Sequence, residues 1–464
     1  MPPTLDQDTI VAISTPPGRG GIGIVRLSGP AARTIAEPLL KLRHPLAPAQ
    51  ARFAHILDSN GETLDEAVVT WFQSPHSYTS EDVVEIAAHG SPVLLDHLLR
   101  QCVAAGARLA EPGEFTQRAF LSGRLDLTQA EAVHDLIESS TLHQARIAAQ
   151  QLGGSLSRQI TPIKEQLIAL IAALEAGIDF AEDDIDLLPT AQIATQIQAV
   201  EAPLQVLEQT FAYGRIVRDG FTLAIVGRPN AGKSSLFNRL LQRDRAIVTA
   251  TPGTTRDLVT ERISLEGIPV ELVDTAGLRQ ATDEAESIGI AKSREAIAEA
   301  DVVLLVLDAT VPLHPEDNAT IASLTGRPLL IARNKHDLTT NQPRTTTQET
   351  IQSTTPDPMP CTTIETSALT GEGLPELRRA ILSRVTQATP NAETALLTNL
   401  RQQQAVSGAL RSLAQAQQAL TASIPHEMLL LDLYETLRSL DTLTGTTTTD
   451  DILNQIFSKF CIGK

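Results

Sequence analysis

The sequence predicts a multidomain α/β protein: an α+β amino-terminal domain, then a helical domain into which a parallel-sheet P-loop domain is inserted. Three observations point to it. At 464 residues the chain is too long for a single ordinary domain, and about three is the expectation from length. The octet Gly227-Arg228-Pro229-Asn230-Ala231-Gly232-Lys233-Ser234 follows an apolar run, Thr222 to Val226, so a buried strand feeds a glycine-rich loop and then a helix. Long helical periodicity lies on both sides of that motif.

Taken in order, residues 1–122 mix short β-like runs (Thr9 to Ile13, Gly21 to Leu27, Glu66 to Phe72, Val83 to His89) with a helical stretch from Ser91 to Ala105. That is an α+β domain. Residues 123–219 change pattern, with Ala132, Val133, Leu136 and Ile137, then Ile163, Leu167, Leu170, Ile171 and Leu174, spaced as the apolar faces of a helix bundle. Residues 220–386 alternate strands and helices as a parallel sheet requires. Residues 387–464 return to helix, rich in Gln, Ala and Leu through Ala422, then Met428 to Leu440, then Ile452 to Phe460 behind the start signal Asp450-Asp451. The sheet domain therefore reads as an insertion between the two parts of one helical domain. No long internal repeat occurs, and the biased stretches are threonine-rich, Thr345 to Thr355 and Thr444 to Thr449.

Composition excludes several classes. With 42% hydrophobic and 20% charged residues the chain is globular, and no apolar run reaches the length needed to span a bilayer. The start, Met1-Pro2-Pro3-Thr4-Leu5-Asp6, lacks the basic and apolar regions of a signal peptide, so a cytoplasmic location without membrane contact is expected. Cys102, Cys361 and Cys461 are too widely spaced for a metal knuckle or a disulfide framework. A formal charge of −18 with 3% aromatic residues is a poor footprint for nucleic acid. An RNA substrate would need a basic partner to help hold it.

The motifs carry the chemistry. In G-x-x-x-x-G-K-S the glycines let backbone N–H groups face phosphates, Lys233 reaches the β/γ oxygens and the Ser234 hydroxyl ligates Mg²⁺. Asn230, Ala231, Gly232 and Ser235 complete that loop's contacts. Val270 to Val273 ends in Asp274-Thr275-Ala276-Gly277, where a carboxylate can hold the metal's water shell and the Gly277 amide can sense a γ-phosphate. Apolar runs Val302 to Leu307 and Pro328 to Ala332 follow, the second leading into Asn334-Lys335-His336-Asp337. Such an N-K-x-D resembles the guanine-selecting motif of GTPases, whose Asp accepts from guanine N1–H and the exocyclic amine. Ser367-Ala368-Leu369, after Thr362 to Thr366, resembles the loop whose amide meets guanine O6. Four ordered motifs make GTP the expected nucleotide and a Ras-like P-loop GTPase domain the expected insertion.

Outside these motifs, Thr15-Pro16-Pro17-Gly18-Arg19-Gly20-Gly21, Pro112-Gly113-Glu114-Phe115-Thr116-Gln117-Arg118-Ala119-Phe120-Leu121 and the terminal Phe460-Cys461-Ile462-Gly463-Lys464 are not general GTPase features. Through them the chain resembles, over essentially its whole length, the bacterial tRNA-modification GTPase family called MnmE or TrmE. The resemblance implies a homodimer working in a heterotetramer with a flavoprotein, MnmG (GidA). Their product is a wobble uridine carrying an aminomethyl or carboxymethylaminomethyl group at C5, built with a one-carbon unit from 5-formyltetrahydrofolate or a related reduced folate. The tRNA is then held largely by the partner.

The resemblance also assigns residues. Arg26, Glu85, Arg124 and Lys464 match the family's folate contacts, a carboxylate suiting the pterin amide edge and cations the folate carboxylates. The family commonly has Lys at position 124, and a guanidinium is not interchangeable with an ammonium. Leu278 stands where Ras-like proteins place a water-orienting Gln, and the resemblance gives that task to Glu286. It gives the role of an arginine finger to K⁺, held by Asn230 and by Thr249-Ala250-Thr251-Pro252-Gly253-Thr254, with Thr255 as a second Mg²⁺ ligand. Cys461 is either a thiolate nucleophile or a small buried hydrophobe closing the folate pocket from below. A ribosome-assembly GTPase of the Era or Der kind is the alternative, although neither a second G domain nor a basic tail is present.

Overall fold

The computed structural model describes residues 8–179, 189–244, 260–274, 297–324, 326–339, 362–386, 395–422, 424–446, 453, 456–458 and 460–463. By packing, the chain forms two compact units, one of Met1–His134, Ala149–Thr190 and Ser412–Lys464, the other of Asp135–Ala148 and Ala191–Arg411.

The first unit opens with β1 (Ile10–Ile13), β2 (Gly20–Ser28), α1 (Ala32–Ala36), β3 (Leu40–Leu42), β4 (Ala51–Leu57), β5 (Thr63–Phe72), β6 (Val83–Gly90), α2 (Pro92–Ala104), β7 (Arg108–Leu109) and α3 (Glu114–Leu121). The strands form one seven-stranded sheet in the order β3-β4-β5-β6-β2-β1-β7, antiparallel except for the β1–β7 pair. Alternation puts Val25, Leu27, Val84 and Ile86 into a core where α2 lays down Leu95, Leu98 and Cys102, positions three and four apart on one helical face. Proline fits at the start of α2 because the N–H it lacks would have no helical partner there. Burial pushes the Cys102 thiol up to about 12, which makes it an inert core residue.

Helices follow: α4 (Leu127–Glu138), α5 (Leu142–Leu152), α6 (Ser155–Asp179), α7 (Thr190–Gln209) and α8 (Phe211–Asp219). On α6 the expected face Ile163, Leu167, Leu170, Ile171 and Leu174 is buried. Ile137, expected on the apolar face of α4, is instead 44% exposed, since it lies on the last turn beyond the packed positions Ala130 and Val133.

The second sheet holds β8 (Phe221–Val226), β9 (Thr260–Leu265), β10 (Ile268–Asp274), β11 (Val302–Asp308), β12 (Leu329–Asn334) and β13 (Thr362–Glu365), with helices α9 (Lys233–Asp244), α10 (Pro315–Ser323) and α11 (Leu374–Val385). Its order is β13-β12-β11-β8-β10-β9, parallel except for the β9–β10 hairpin. The continuous apolar runs of β8, β11 and β12 reflect burial on both faces. β9 buries Ile263 and Leu265, with Arg262 exposed and Glu261 and Ser264 half-buried, and is not among the expected strands. Two last helices, α12 (Leu400–Thr421) and α13 (His426–Thr444), complete the chain, with α13 packed on α6 and Lys164 paired to Asp441 at 2.5 Å. The expected helix Ile452 to Phe460 lies largely outside the described residues.

Candidate functional site

The phosphate loop joins the end of β8 to the first turn of α9, at the carboxyl edge of a parallel sheet where ligands of such folds collect. Gly227 has φ +145°, and a Cβ there would lie 2.3 Å from the Val306 carbonyl. Gly232 has φ +91°, and a Cβ there would lie 2.1 Å from Asn334 Nδ2. Both glycines are therefore required by close approach as well as by conformation. Asn230 takes φ +62°, which asparagine tolerates better than most side chains. Lys233 is buried, and its Nζ crosses the loop to donate to the Arg228 carbonyl at 2.8 Å. Ser234 and Ser235 are exposed on the first turn of α9.

Asn334, 2% exposed at the end of β12, ties this loop to the expected base-binding segment. Its Nδ2 donates to the Ala231 carbonyl at 3.2 Å and the Gly232 carbonyl at 3.4 Å, and its Oδ1 accepts from the Ala368 N–H at 3.0 Å. Lys335 sits in the left-handed region at φ +67° and pairs with Asp308 at 2.6 Å. Burial opposes ionisation of Asp308, but its bonds from Lys335 and Thr310 outweigh that and hold the carboxyl below the usual range. This turn leaves Asp337 half-buried in the short helix His336–Leu338, with the His336 N–H bonded to the Thr366 carbonyl at 3.1 Å. Ser367 is fully buried, while Leu369 is 80% exposed and leaves its side chain out of the packing. The structure thus brings Asn230, Ala231, Gly232, Lys233, Asn334 and Ala368 together, joining the glycine-rich loop to the segments that carry Asn334 and Ala368. Asp308, and the Arg228–Asp317 pair at 2.9 Å that braces the loop, were not among the sequence candidates. Only their place at the ends of β11 and in α10 brings them to the loop.

Asp274 ends β10 in register with Ile225, at the same sheet edge. Thr249, Ala250, Thr251, Pro252, Gly253, Thr254, Thr255, Thr275, Ala276, Gly277, Leu278, Glu286 and Lys464 lie outside the described residues, as does the Asp274 side chain.

A second site lies in the amino-terminal sheet. Arg26 on β2 and Glu85 on β6 are direct cross-strand partners, so the register alone makes them neighbours. Arg26 Nε and NH2 reach Glu85 Oε1 at 2.9 and 2.8 Å, leaving Oε2 without a protein partner among the described residues. The Arg26 guanidinium also stands 5.8 Å from the Tyr78 ring and 5.7 Å from the Phe115 ring. Arg124 also approaches the Tyr78 ring, at 5.3 Å, and donates to the Tyr78 carbonyl. These residues share an open pocket of about 800 Å³ with Phe72, His76 and Ser122. Tyr78 escaped the sequence reading, and the available signal was an aromatic residue in a polar turn, Pro75-His76-Ser77-Tyr78, of a chain poor in aromatics. Burial raises its hydroxyl above the ordinary tyrosine value, and Thr116 bonds it at 2.9 Å.

The terminal segment reaches this pocket within the same chain. Ile462 pairs with Pro112, and the Gly463 carbonyl accepts from Arg26 NH1 at 3.3 Å and from Ser14 Oγ at 3.1 Å. Gly463, at φ +95°, brings its Cα so near β1 that a Cβ would lie 2.5 Å from the Ile13 carbonyl. Cys461 is exposed, so the buried-hydrophobe reading gives way. The buried apolar residues of this segment are instead Phe457 and Phe460, packed with Leu127, Ala130 and Val133.

Comparison with known proteins agrees with both halves of this architecture. Residues 9–124 match the model described as the GTP-binding protein TrmE N-terminus, and residues 127–461 match that of the MnmE helical domain. The tRNA modification GTPase MnmE of Koribacter versatilis is 56% identical over 463 residues, covering 99% of each chain. Its counterpart in Acetivibrio thermocellus is 39% identical with the same coverage, and that of Aquifex aeolicus is 41% identical over 99% of this chain and 100% of its own. With family models spanning nearly its full length and relatives at this identity over all of it, the chain belongs to the MnmE family of tRNA modification GTPases.

Proposed function

We propose that this GTPase, as a homodimer in the cytoplasm and together with the flavoprotein MnmG (GidA), modifies the wobble uridine of certain tRNAs at C5. The product is an aminomethyl or carboxymethylaminomethyl uridine. The observation that carries the reading is the pocket around Arg26, Glu85 and Arg124, which a nucleotide switch acting alone would not need. Its donor set fits a reduced folate such as 5-formyltetrahydrofolate. Glu85 Oε2 suits the pterin's N–H donors, Tyr78 and Phe72 supply apolar wall, and the exposed Arg124 suits the glutamate tail. A bound formyl-folate would supply the one-carbon unit, and Lys464 would add a further cation. Among the described residues no helix is long and apolar enough to cross a membrane.

In calorimetry with the full-length protein, Arg26→Ala and Glu85→Ala are each expected to weaken 5-formyltetrahydrofolate binding by about tenfold or more, the worth of one charge-assisted bond at ~1.5–3 kcal/mol. Equal binding by wild type and both variants would exclude the pocket.

In the nucleotide domain Asn334, Lys335 and Asp337 serve the guanine base, Ser367, Ala368 and Leu369 its O6 side, and Lys233 the phosphates. The Ala368 amide currently donates to Asn334 Oδ1 and would be shared with, or turned to, the base. Mg²⁺, when bound, neutralises charge on the β- and γ-oxygens, and Ser234 and Thr255 would hold it. Replacing Asp337 by Asn puts a donor where guanine also donates, a mismatch costing ~1–3 kcal/mol, and xanthosine nucleotides should then be preferred. Competition of GTP and XTP for the variant reads this directly, and undiminished GTP affinity would remove Asp337 from the base site.

A further inference from the structure

We infer that Arg118, which faces away from the folate pocket, is the positioning residue that sets the pocket's outer wall by holding the segment 74–82 through Glu81. The inference rests on the folate reading given above. Arg118 on α3 is 4% exposed, and its fork is shared by three carboxylates: Glu114 Oε1 at 2.9 Å, Glu81 Oε1 at 3.2 Å, and Asp8 Oδ1. It also donates to the Asp8 carbonyl at 3.0 Å. Arg108 closes the far side of the cluster on Asp8 at 2.6 Å and Glu114 at 2.6 Å.

Glu81 is the member that transmits this to the pocket. Its Oε2 accepts from the fully buried Ser28 Oγ at 2.6 Å, and Ser28 Oγ bonds Thr79 Oγ1 at 2.7 Å. Its carbonyl accepts from Ser77 Oγ, and its own N–H donates to Thr79 Oγ1 at 3.3 Å. Ser77, Tyr78 and Ser80 stand on the pocket wall from this segment. The chain of bonds from α3 therefore runs through Arg118 and Glu81 to Ser77 and Thr79, the two residues that flank Tyr78. A guanidinium meets three acceptors at fixed angles, and lysine, one mobile point charge, cannot. Glu81 is only partly buried, so losing the guanidinium frees its carboxylate to turn toward water and loosens its hold on the segment.

The test is hydrogen exchange by mass spectrometry and 5-formyltetrahydrofolate calorimetry on full-length wild type, Arg118→Lys and Glu81→Gln. Both variants are expected to exchange faster over 74–82 than wild type while α2 and β4 keep their protection, and to bind the folate at least tenfold more weakly. Saturating folate is expected to restore protection to 74–82. A merely structural role would raise exchange throughout the amino-terminal sheet, and that outcome, or unchanged exchange over 74–82, overturns the inference. Faster exchange confined to 74–82 in a protein whose wild type takes no folate would leave Arg118 as the wall's anchor and reject the folate reading alone.

Discussion

In KCl, Asn230→Ala is expected to lower steady-state GTP turnover by ~10³ or more, to the rate wild type shows in NaCl, because the proposed K⁺ would stand where other GTPases place an arginine finger. Three decades correspond to about 4 kcal/mol of transition-state stabilisation. Leu278 follows Gly277 and has no polar atom to align water, so the proposal assigns that to Glu286; no arginine finger is evident in the sequence, so the positive charge must come from elsewhere. Asn230, on the phosphate loop at φ +62°, offers a side-chain oxygen beside the phosphates, and the carbonyls of 249–254 would complete an oxygen cage that the smaller Na⁺ fills poorly. Alanine at a left-handed position costs about 1–2 kcal/mol of its own, so GTP affinity is measured alongside. Glu286→Ala is expected to lose turnover and yet keep GTP binding and K⁺-dependent pairing of two G domains, followed by light scattering with GDP and aluminium fluoride. Equal wild-type rates in the two salts, or normal turnover by Glu286→Ala, would sink this mechanism.

The second large effect is expected at Asn334. Its side chain bridges the Ala231 and Gly232 carbonyls to the Ala368 amide, so it fixes the spacing between the phosphate loop and the base loop. Asn334→Ala leaves a buried donor and two acceptors to find new partners at ~1–3 kcal/mol each, and guanine-nucleotide affinity is expected to fall by about ten- to a hundredfold. Asn334→Asp is expected to do worse. Its carboxylate can still accept from Ala368 but sets a negative charge against two carbonyl oxygens, a repulsion stronger in a buried site. Titration with a fluorescent GDP derivative orders the three proteins. An Asp variant binding like wild type would show that the bridge is incidental.

The nucleotide site was legible because its signals are local. A phosphate loop needs glycines at fixed offsets and a lysine at the helix start, and the strands feeding these motifs are buried on both faces, so they carry the apolar runs Leu223 to Val226, Val302 to Leu307 and Leu329 to Ala332. The expected strand over Thr222 to Val226 is β8, Phe221–Val226, and that over Val302 to Leu307 is β11, Val302–Asp308. The edge hairpin strand β9 was not, since its sequence, Thr-Glu-Arg-Ile-Ser-Leu, has only two apolar residues, Ile263 and Leu265. Resemblance, rather than local pattern, singled out Arg26, Glu85 and Arg124.

By itself the sequence determined the nucleotide motifs, their order and the helical faces, because spacing along one backbone fixes what one loop or one helix can present. Only the tertiary structure decided that Arg26 faces Glu85 across 59 positions of chain, that Arg26 and Arg124 both approach the Tyr78 ring, at 5.8 and 5.3 Å, and that Gly463 returns to Arg26 across 437. Those meetings follow from strand register and from a terminal turn that only glycine can make against β1, and neither is written in the local sequence of the residues that meet.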